Sequence, residues 1–361
     1  VSTKLFLPGL NGLRAIAALS VILAHVSETL VEKRILNTNY FGHFGGYSVT
    51  IFFTLSGFLI TFLLLKELEL QSKIDIKKFY IRRILRIWPL YFFYILLIVI
   101  VMKFTVPSTI WYYVFIVPNI PFALHLAGNS MITIPLLIHY WSLGVEEQFY
   151  AFWPWMLKNS KKIKKTIFIF CVAYFGLKVV LSILNAPIVI QSILLHTRFC
   201  CLAIGGIGAC LYFENNKIVV FVKQKFVEIL AWLIIVLFLL NVIRVFSIVN
   251  HEIIALLVVA LIINQISNSK TVIPLENKLF DYLGKISFGL YIYNPLVLYF
   301  ISFLLLETNE NKPLKATLFI FSTFSAVILV AHLSYFYFEK RFLNLKNRFT
   351  TIESYSSNPN N

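Results

Sequence analysis

An arginine and a histidine eleven positions apart, Arg14 and His25, stand inside the apolar stretch PGLNGLRAIAALSVILAHVSETL of residues 8–30. At about 100° per residue, that spacing returns to nearly the same face of a helix about 16 Å further along it. Both side chains therefore look along one side of the helix from two depths. A fixed cation near one membrane surface and a titratable imidazole further across suit anion binding at one level and proton transfer at the other. A structural account is also open: Arg14 snorkels to the interface and His25 is a satisfied partner between helices.

Further candidates follow along the chain. Residues 79–89, FYIRRILRIWP, set Arg82 and Arg86 on one helical face with Arg83 beside them. Guanidinium forks suit phosphates, so the cluster can hold a polyanionic cofactor; equally, arginines at such a junction anchor topology. Residues 141–155, WSLGVEEQFYAFWPW, carry Trp141, Glu146, Glu147 and Gln148 within two turns. Carboxylates at a helix start are stabilised by the helix N-terminus, yet Glu146 is also expected at a depth similar to His25, where it would orient the imidazole or stabilise its protonated form. Ser56 and Gly57 lie mid-span in FFTLSGFLIT, where small residues allow close helix packing, and Ser56 stays a candidate at the substrate. Arg198, before CCLAIGGIGA, needs an anionic or carbonyl partner, whereas Lys178 near a helix end can snorkel.

The elements that position these residues are membrane helices. At 361 residues, 59% hydrophobic and with mean hydropathy +0.82, the chain is far more apolar than a soluble domain. Windows long enough to cross fall near 8–30, 46–65, 84–103, 141–157, 166–185, 189–213, 226–245, 252–267, 284–305 and 316–338. The fold class read from them is all-α: a polytopic membrane protein with about ten transmembrane helices. The net charge of +16 is distributed in short clusters between the spans rather than over one soluble face, so no nucleic-acid partner is expected. Basic junctions such as Lys73–Arg86 and Lys158–Lys165 alternate with poorer ones, so both termini are expected on the cytoplasmic side. Residues 110–126, IWYYVFIVPNIPFALHL, would break that alternation as a full crossing; Pro118, Asn119 and Pro121 make them a re-entrant or interfacial segment on the outer side. All four cysteines lie in apolar stretches, so no disulfide framework is indicated, and no metal is expected. Neither a cleavable signal peptide, an internal repeat nor an appended extracytoplasmic domain is read. Residues 1–345 form the transmembrane domain and 346–361 a polar cytoplasmic tail expected to be disordered.

Together these stretches resemble the membrane acyltransferase family often called acyltransferase 3, the O-acetylases of bacterial peptidoglycan, lipopolysaccharide and other surface glycans. The resemblance runs from about Leu5 to Arg341. It rests on GLRAIAALSVILAHV, FFTLSGFLI, FYIRRILRIWPLY, WSLGVEEQFYAFWP, RFCCLAIGGIGA and YLGKISFGLYIYNPL, in the family's order. It implies that His25 is the catalytic histidine, Arg14 the essential arginine of the first helix, and Arg82, Arg83 and Arg86 the cytoplasmic motif that meets coenzyme A. Glu146 matches the carboxylate of the tryptophan-led motif and Arg198 a recurrent membrane arginine. Many members carry a histidine where this chain has Asn294, so no proton-transfer role is implied there.

The expected activity is transfer of an acyl group, most often acetyl, from cytoplasmic acyl-CoA to a hydroxyl of an extracytoplasmic glycan or lipid-linked sugar. His25 would serve as general base, and Trp141 as part of an apolar acceptor mouth. Glu146, Arg198 and a backbone donor remain open as oxyanion stabilisers. The setting would be the bacterial plasma membrane, among its lipids, with the acyl group delivered directly or handed to a separate extracytoplasmic acyltransferase. A proton-coupled exporter with His25 and Glu146 as relay is the alternative; no duplicated pair of broken helices supports it.

Overall fold

Pro8 and Gly9 end an extended N-terminal segment, Gly9 with a φ of 74° that a side chain would resist, and α1 (Leu10–Glu32) starts directly behind them. The computed structural model describes residues 3–128, 133–268, 270–306, 312–350 and 352–355. After α1 come α2 (Gly42–Gln71) and α3 (Ile76–Val101). Two short helices, α4 (Ile110–Val114) and α5 (Asn119–Leu126), and a 3₁₀ segment at Pro135–Tyr140 lead into α6 (Trp141–Lys158). Then follow α7 (Ile163–Ile183), α8 (Ile188–Thr197), α9 (Phe199–Phe213), α10 (Lys217–Val222), α11 (Lys225–Leu239) and α12 (Asn250–Ser267). The last four are α13 (Lys278–Lys285), α14 (Ser287–Leu305), α15 (Lys312–Ser334) and α16 (Lys340–Asn347). β1 (Thr3–Phe6) pairs in parallel with β2 (Ile352–Tyr355), Thr3 opposite Ile352 and Phe6 opposite Tyr355. Of the stretch 346–361 read as a polar tail, residues 346–347 finish α16 and 352–355 form β2; residues 356–361 lie outside the described residues.

The protein is an all-α polytopic membrane protein. Among the described residues, 8 helical segments are long and apolar enough to cross a membrane, α8 running on into α9 and α15 into α16. The expected spans 141–157 and 226–245 coincide with α6, which carries Glu146, Glu147 and Lys158, and with the 15-residue α11; both fall outside that set. The segment 110–126 consists of helices of 5 and 8 residues parted by Ile116, at a φ of 59°, and Pro118. At 1.5 Å per residue neither is long enough to cross. Its broken backbone is held by protein: Gln148 of α6 donates to Asn119 Oδ1 at 2.7 Å and to the Ile116 carbonyl at 3.3 Å.

α2 is the central helix. Protein covers 78% of its most apolar window against 17% for α7, whose Phe168, Ile169 and Val172 form part of a lipid-facing belt. Small residues bring α9 against α2 almost backbone to backbone: a Cβ on Gly57 would meet the Leu202 carbonyl oxygen at 1.8 Å, and one on Gly205 the Thr54 oxygen at 2.2 Å. That close approach frees the opposite side of α2 to face α1, α3, α6 and α14. α3 begins at Asp75, whose Oδ1 accepts from the Lys78 backbone N–H at 3.0 Å while its own N–H donates to Glu67. The cap sets where α3 starts, and with it the register of the three arginines.

Candidate active site

The arginines of α3 divide their tasks. Arg82 is bound within the fold, its Nη2 3.0 Å from the buried Glu67 carboxylate and its Nη1 donating to the Phe349 carbonyl at 3.2 Å. Arg83 lies over the Tyr150 ring, 5.2 Å from its centroid. Arg86 faces three adjoining cavities, which also share Leu59. The first, about 220 Å³, lies between α2, α3 and α16 and is lined by Glu67, Arg82, Arg83 and Lys346. The second, about 320 Å³, is lined by Asn11, Arg14, Lys285, Lys340 and Lys346. The third, about 90 Å³, reaches inward between α2, α3, α6 and α14, past Arg14, Arg83, Ser56, Glu146 and Tyr150, to Ser142 and Tyr291. Three guanidiniums there face one carboxylate in a setting of low dielectric, which favours an anion.

Glu146 belongs to this basic chamber. It accepts hydrogen bonds from Ser56 Oγ and Tyr150 OH. The expectation that it lies beside His25 is therefore corrected, and the physical reason is depth. The 3₁₀ segment Pro135–Tyr140 is already buried at Leu137, His139 and Tyr140, so α6 starts within the bundle, and Glu146 comes about 8 Å below that start. Ser56, placed for packing by its size, is thereby a ligand of the carboxylate, while Gly57 does the packing. Glu147, the other carboxylate, accepts from Trp88 Nε1 at 2.8 Å.

His25 is met from α14 instead. Its Nδ1 is 2.7 Å from Nδ2 of Asn294, a residue with no exposed surface. Asn294 Oδ1 is buried without a hydrogen-bond partner. The amide can offer His25 its NH2 or, turned over, its oxygen; the turned form gives Oδ1 a donor in Nδ1–H and leaves Nε2 a free lone pair. One turn earlier on α14, Tyr291 OH donates to the His139 carbonyl at 2.8 Å and is 2.7 Å from Ser142 Oγ. The His139 ring packs edge-on to Tyr94, Tyr140 and Tyr291. Reading the sequence missed His139. Its signal was slight: one imidazole before Tyr140 and Trp141, in a segment too short for helical periodicity.

A second polar cluster occupies the bundle on the other side of α2. Arg198 holds a left-handed conformation at the α8–α9 break, φ 45°, and donates to the Gly46 carbonyl at 2.7 Å, the carbonyl partner its burial demands. Its guanidinium lies 5.2 Å over Trp141, which stacks on Phe122 at 5.0 Å and 7°. Thr50 Oγ1, 2.8 Å from His251 Nδ1, joins the cluster. Lys178 does not snorkel: it is 5% exposed, pairs with Glu252 at 2.6 Å and donates to the Ile248 carbonyl.

Residues 7–334 match the family described as Acyltransferase domain. A Staphylococcus aureus (strain COL) protein provisionally named an O-acetyltransferase is 28% identical over 336 residues, covering 82% of this chain and 51% of the relative. The O-acetyltransferase OatA of Staphylococcus aureus (strain NCTC 8325 / PS 47) is 31% identical over 206 residues, covering 50% of this chain and 30% of its own length. The chain spans about half the length of the first of these relatives. No solved structure matches.

Proposed function

The chain belongs to the acyltransferase family matched over residues 7–334, and from that premise we propose that it is a membrane-embedded O-acyltransferase. Its donor would be an acyl-CoA, acetyl-CoA first among them, and its acceptor a hydroxyl of an extracytoplasmic cell-surface glycan or lipid-linked sugar. The observation that carries this reading is the run of cavities joined at Arg86, wide and basic at one face, narrow where it passes Glu146, and closed by Ser142 and Tyr291. A polyphosphate head suits the wide part, where Arg14, Arg83, Arg86, Lys285 and Lys346 converge, and a thin thioester arm suits the narrow one.

His25 would act as general base. With Asn294 Oδ1 accepting from Nδ1–H, Nε2 takes the proton of the acceptor hydroxyl as its oxygen bonds to the acyl carbon. Glu146 then belongs with the donor, balancing the guanidiniums, and Trp141 with Phe122 and Arg198 offers the acceptor an aromatic and cationic wall. Both termini would be cytoplasmic in a bacterial plasma membrane, and the acyl group would pass to the glycan directly or through a separate extracytoplasmic acyltransferase. The test is release of free coenzyme A thiol by the purified protein in lipid, given acetyl-CoA and a surface-glycan extract, with the acyl mass found on the glycan. Glycan left unacylated with acetyl-, succinyl- and longer acyl-CoA alike would overturn the reading.

A further inference from the structure

Coenzyme A, the donor proposed above, is longer than the diphosphate and thioester arm already accounted for. Beyond its diphosphate it carries an adenosine whose ribose bears a third phosphate, on the 3′ carbon. The three cavities meet at Arg86, so a donor whose arm enters the narrow one has two cavities open to its nucleotide end. Resting on the acyltransferase reading, we propose that the nucleotide end occupies the larger of these, about 320 Å³, where Lys340 and Lys346 of α16 bind the ribose 3′-phosphate. The two lysines then separate coenzyme A from thioester carriers that lack this phosphate.

Three observations lead there. The first is charge. In the smaller wide cavity, about 220 Å³, Arg82 is spent on Glu67, and beyond Arg83 and Arg86 the one further cation is Lys346. The larger one runs past Arg14 to Lys285, Lys340 and Lys346, with Glu339 the one carboxylate among the described residues that line it. Lys285 is tied to Asp281 at 2.5 Å, so the lysines of α16 are better placed to meet a phosphate, which a compact ammonium suits. The second is the placement of α16. It follows a π-helical turn at Tyr335–Glu339, a distortion frequent at functional sites, and Lys340, Leu343, Asn344 and Asn347 recur along it at helical spacing with Lys346 beside them. One side of α16 therefore lies along the cavity, and it is fastened beyond its end by Arg82, which donates to the Phe349 carbonyl, and by the pairing of β2 with β1. The third is the company the lysines keep: Asn11, Asn344, Asn347 and Tyr335 line the same cavity, amides and a phenol that suit a purine edge and ribose hydroxyls.

The test removes that phosphate from the donor. The purified protein in lipid, with a glycan extract as acceptor, is given acetyl-CoA and acetyl-dephospho-CoA, which differ only in the ribose 3′-phosphate. The parent is expected to favour acetyl-CoA by about tenfold in kcat/KM, the difference lying in KM. Lys340→Gln with Lys346→Gln is expected to bring that ratio to within about twofold of unity, and Lys340→Arg with Lys346→Arg to keep it. Arg83→Gln is expected to weaken both donors alike and so to keep the ratio as well. Each ratio is taken within one preparation, so any misfolded fraction cancels. In the parent alone, adenosine 3′,5′-bisphosphate is expected to inhibit more strongly than AMP. Equal use of the two donors by the parent, equal inhibition by the two nucleotides, or a parent-like ratio in the Gln double variant would overturn the role of the lysines. So would complete loss on both donors in that variant, or a ratio abolished as fully in Arg83→Gln. Lack of transfer by the parent from either donor would instead overturn the acyltransferase reading itself.

Discussion

The basic face of the bundle and its interior around His25 treat buried polarity in opposite ways. At the basic face, Arg14, Arg83 and Arg86 gather round Glu146 in the narrow cavity and open onto cavities of about 220 and 320 Å³, where basic side chains outnumber Glu67 and Glu339. Further in, the cations have protein partners, Lys178 in Glu252 and Arg198 in the Gly46 carbonyl, and beside His25 the neutral Asn294 Oδ1 is left without a hydrogen-bond partner. A surplus of charge beside open space favours binding an anion, and a neutral imidazole with a free lone pair favours moving a proton. The difference teaches that, on the proposed reading, donor recognition and proton chemistry would be held on separate levels of the bundle, as the 11-residue spacing of Arg14 and His25 would have it.

That separation is broken most sharply at His25. His25→Gln keeps a hydrogen-bonding amide but cannot take a proton, so transfer should fall by about 10² or more while donor affinity stays at the parent value. Kinetics of the purified variant check this, and activity within a few-fold of the parent would remove His25 from the chemistry. Next in size is Arg83→Gln with Arg86→Gln. Each guanidinium–phosphate contact is worth about 1.5–3 kcal/mol, so the donor KM should rise by about 10² or more with kcat less affected. Arg82→Gln should show the reverse emphasis, a lower Tm with a smaller change in KM, because Arg82 is spent on Glu67 and Phe349.

Glu146→Gln sharpens the boundary between the two levels. Removing the anion that orients a catalytic histidine can lower kcat by about 10⁴; as part of the donor chamber, Glu146→Gln should stay within about tenfold and tighten donor binding. The two values are far enough apart for one assay to decide. The smallest effect is expected at Asp75, which sets where the arginine helix starts. Asp75→Ala should cost about 0.5–2 kcal/mol, read by thermal unfolding in lipid. The Lys78 backbone N–H holds the Asp75 carboxyl below the ordinary range. Its contribution is therefore full above the unfolded value of about 3.9 and is lost as pH falls through the lower folded value, so the gap between parent and variant should close there.

Much of this is legible in the sequence because membrane helices are written in long apolar windows, and most of the spans, the broken segment 110–126 and the arginine cluster follow from local pattern. The small residues at Gly57 and the need of Arg198 for a carbonyl partner were legible for the same reason. Partnership across helices was not. Glu67 and Arg82, Lys178 and Glu252, and His25 and Asn294 meet only through packing, and nothing in the spacing of one helix tells which residue of another will face it. Depth is what the sequence leaves out at Glu146: the apolar pattern puts the start of α6 at the membrane surface, whereas a buried 3₁₀ segment carries the chain inward first.

The central claim is that an acyl group enters at the arginines and is delivered beyond His25, and sidedness tests it most directly. The protein is reconstituted into vesicles in one known orientation, with acetyl-CoA supplied on one side only and a glycan acceptor on the other. The account predicts acylated glycan only when the donor is on the side of Arg83 and Arg86, with the freed thiol remaining on that side, and loss of the product in His25→Gln. Equal acylation from either side, or thiol released into the acceptor compartment, would contradict it.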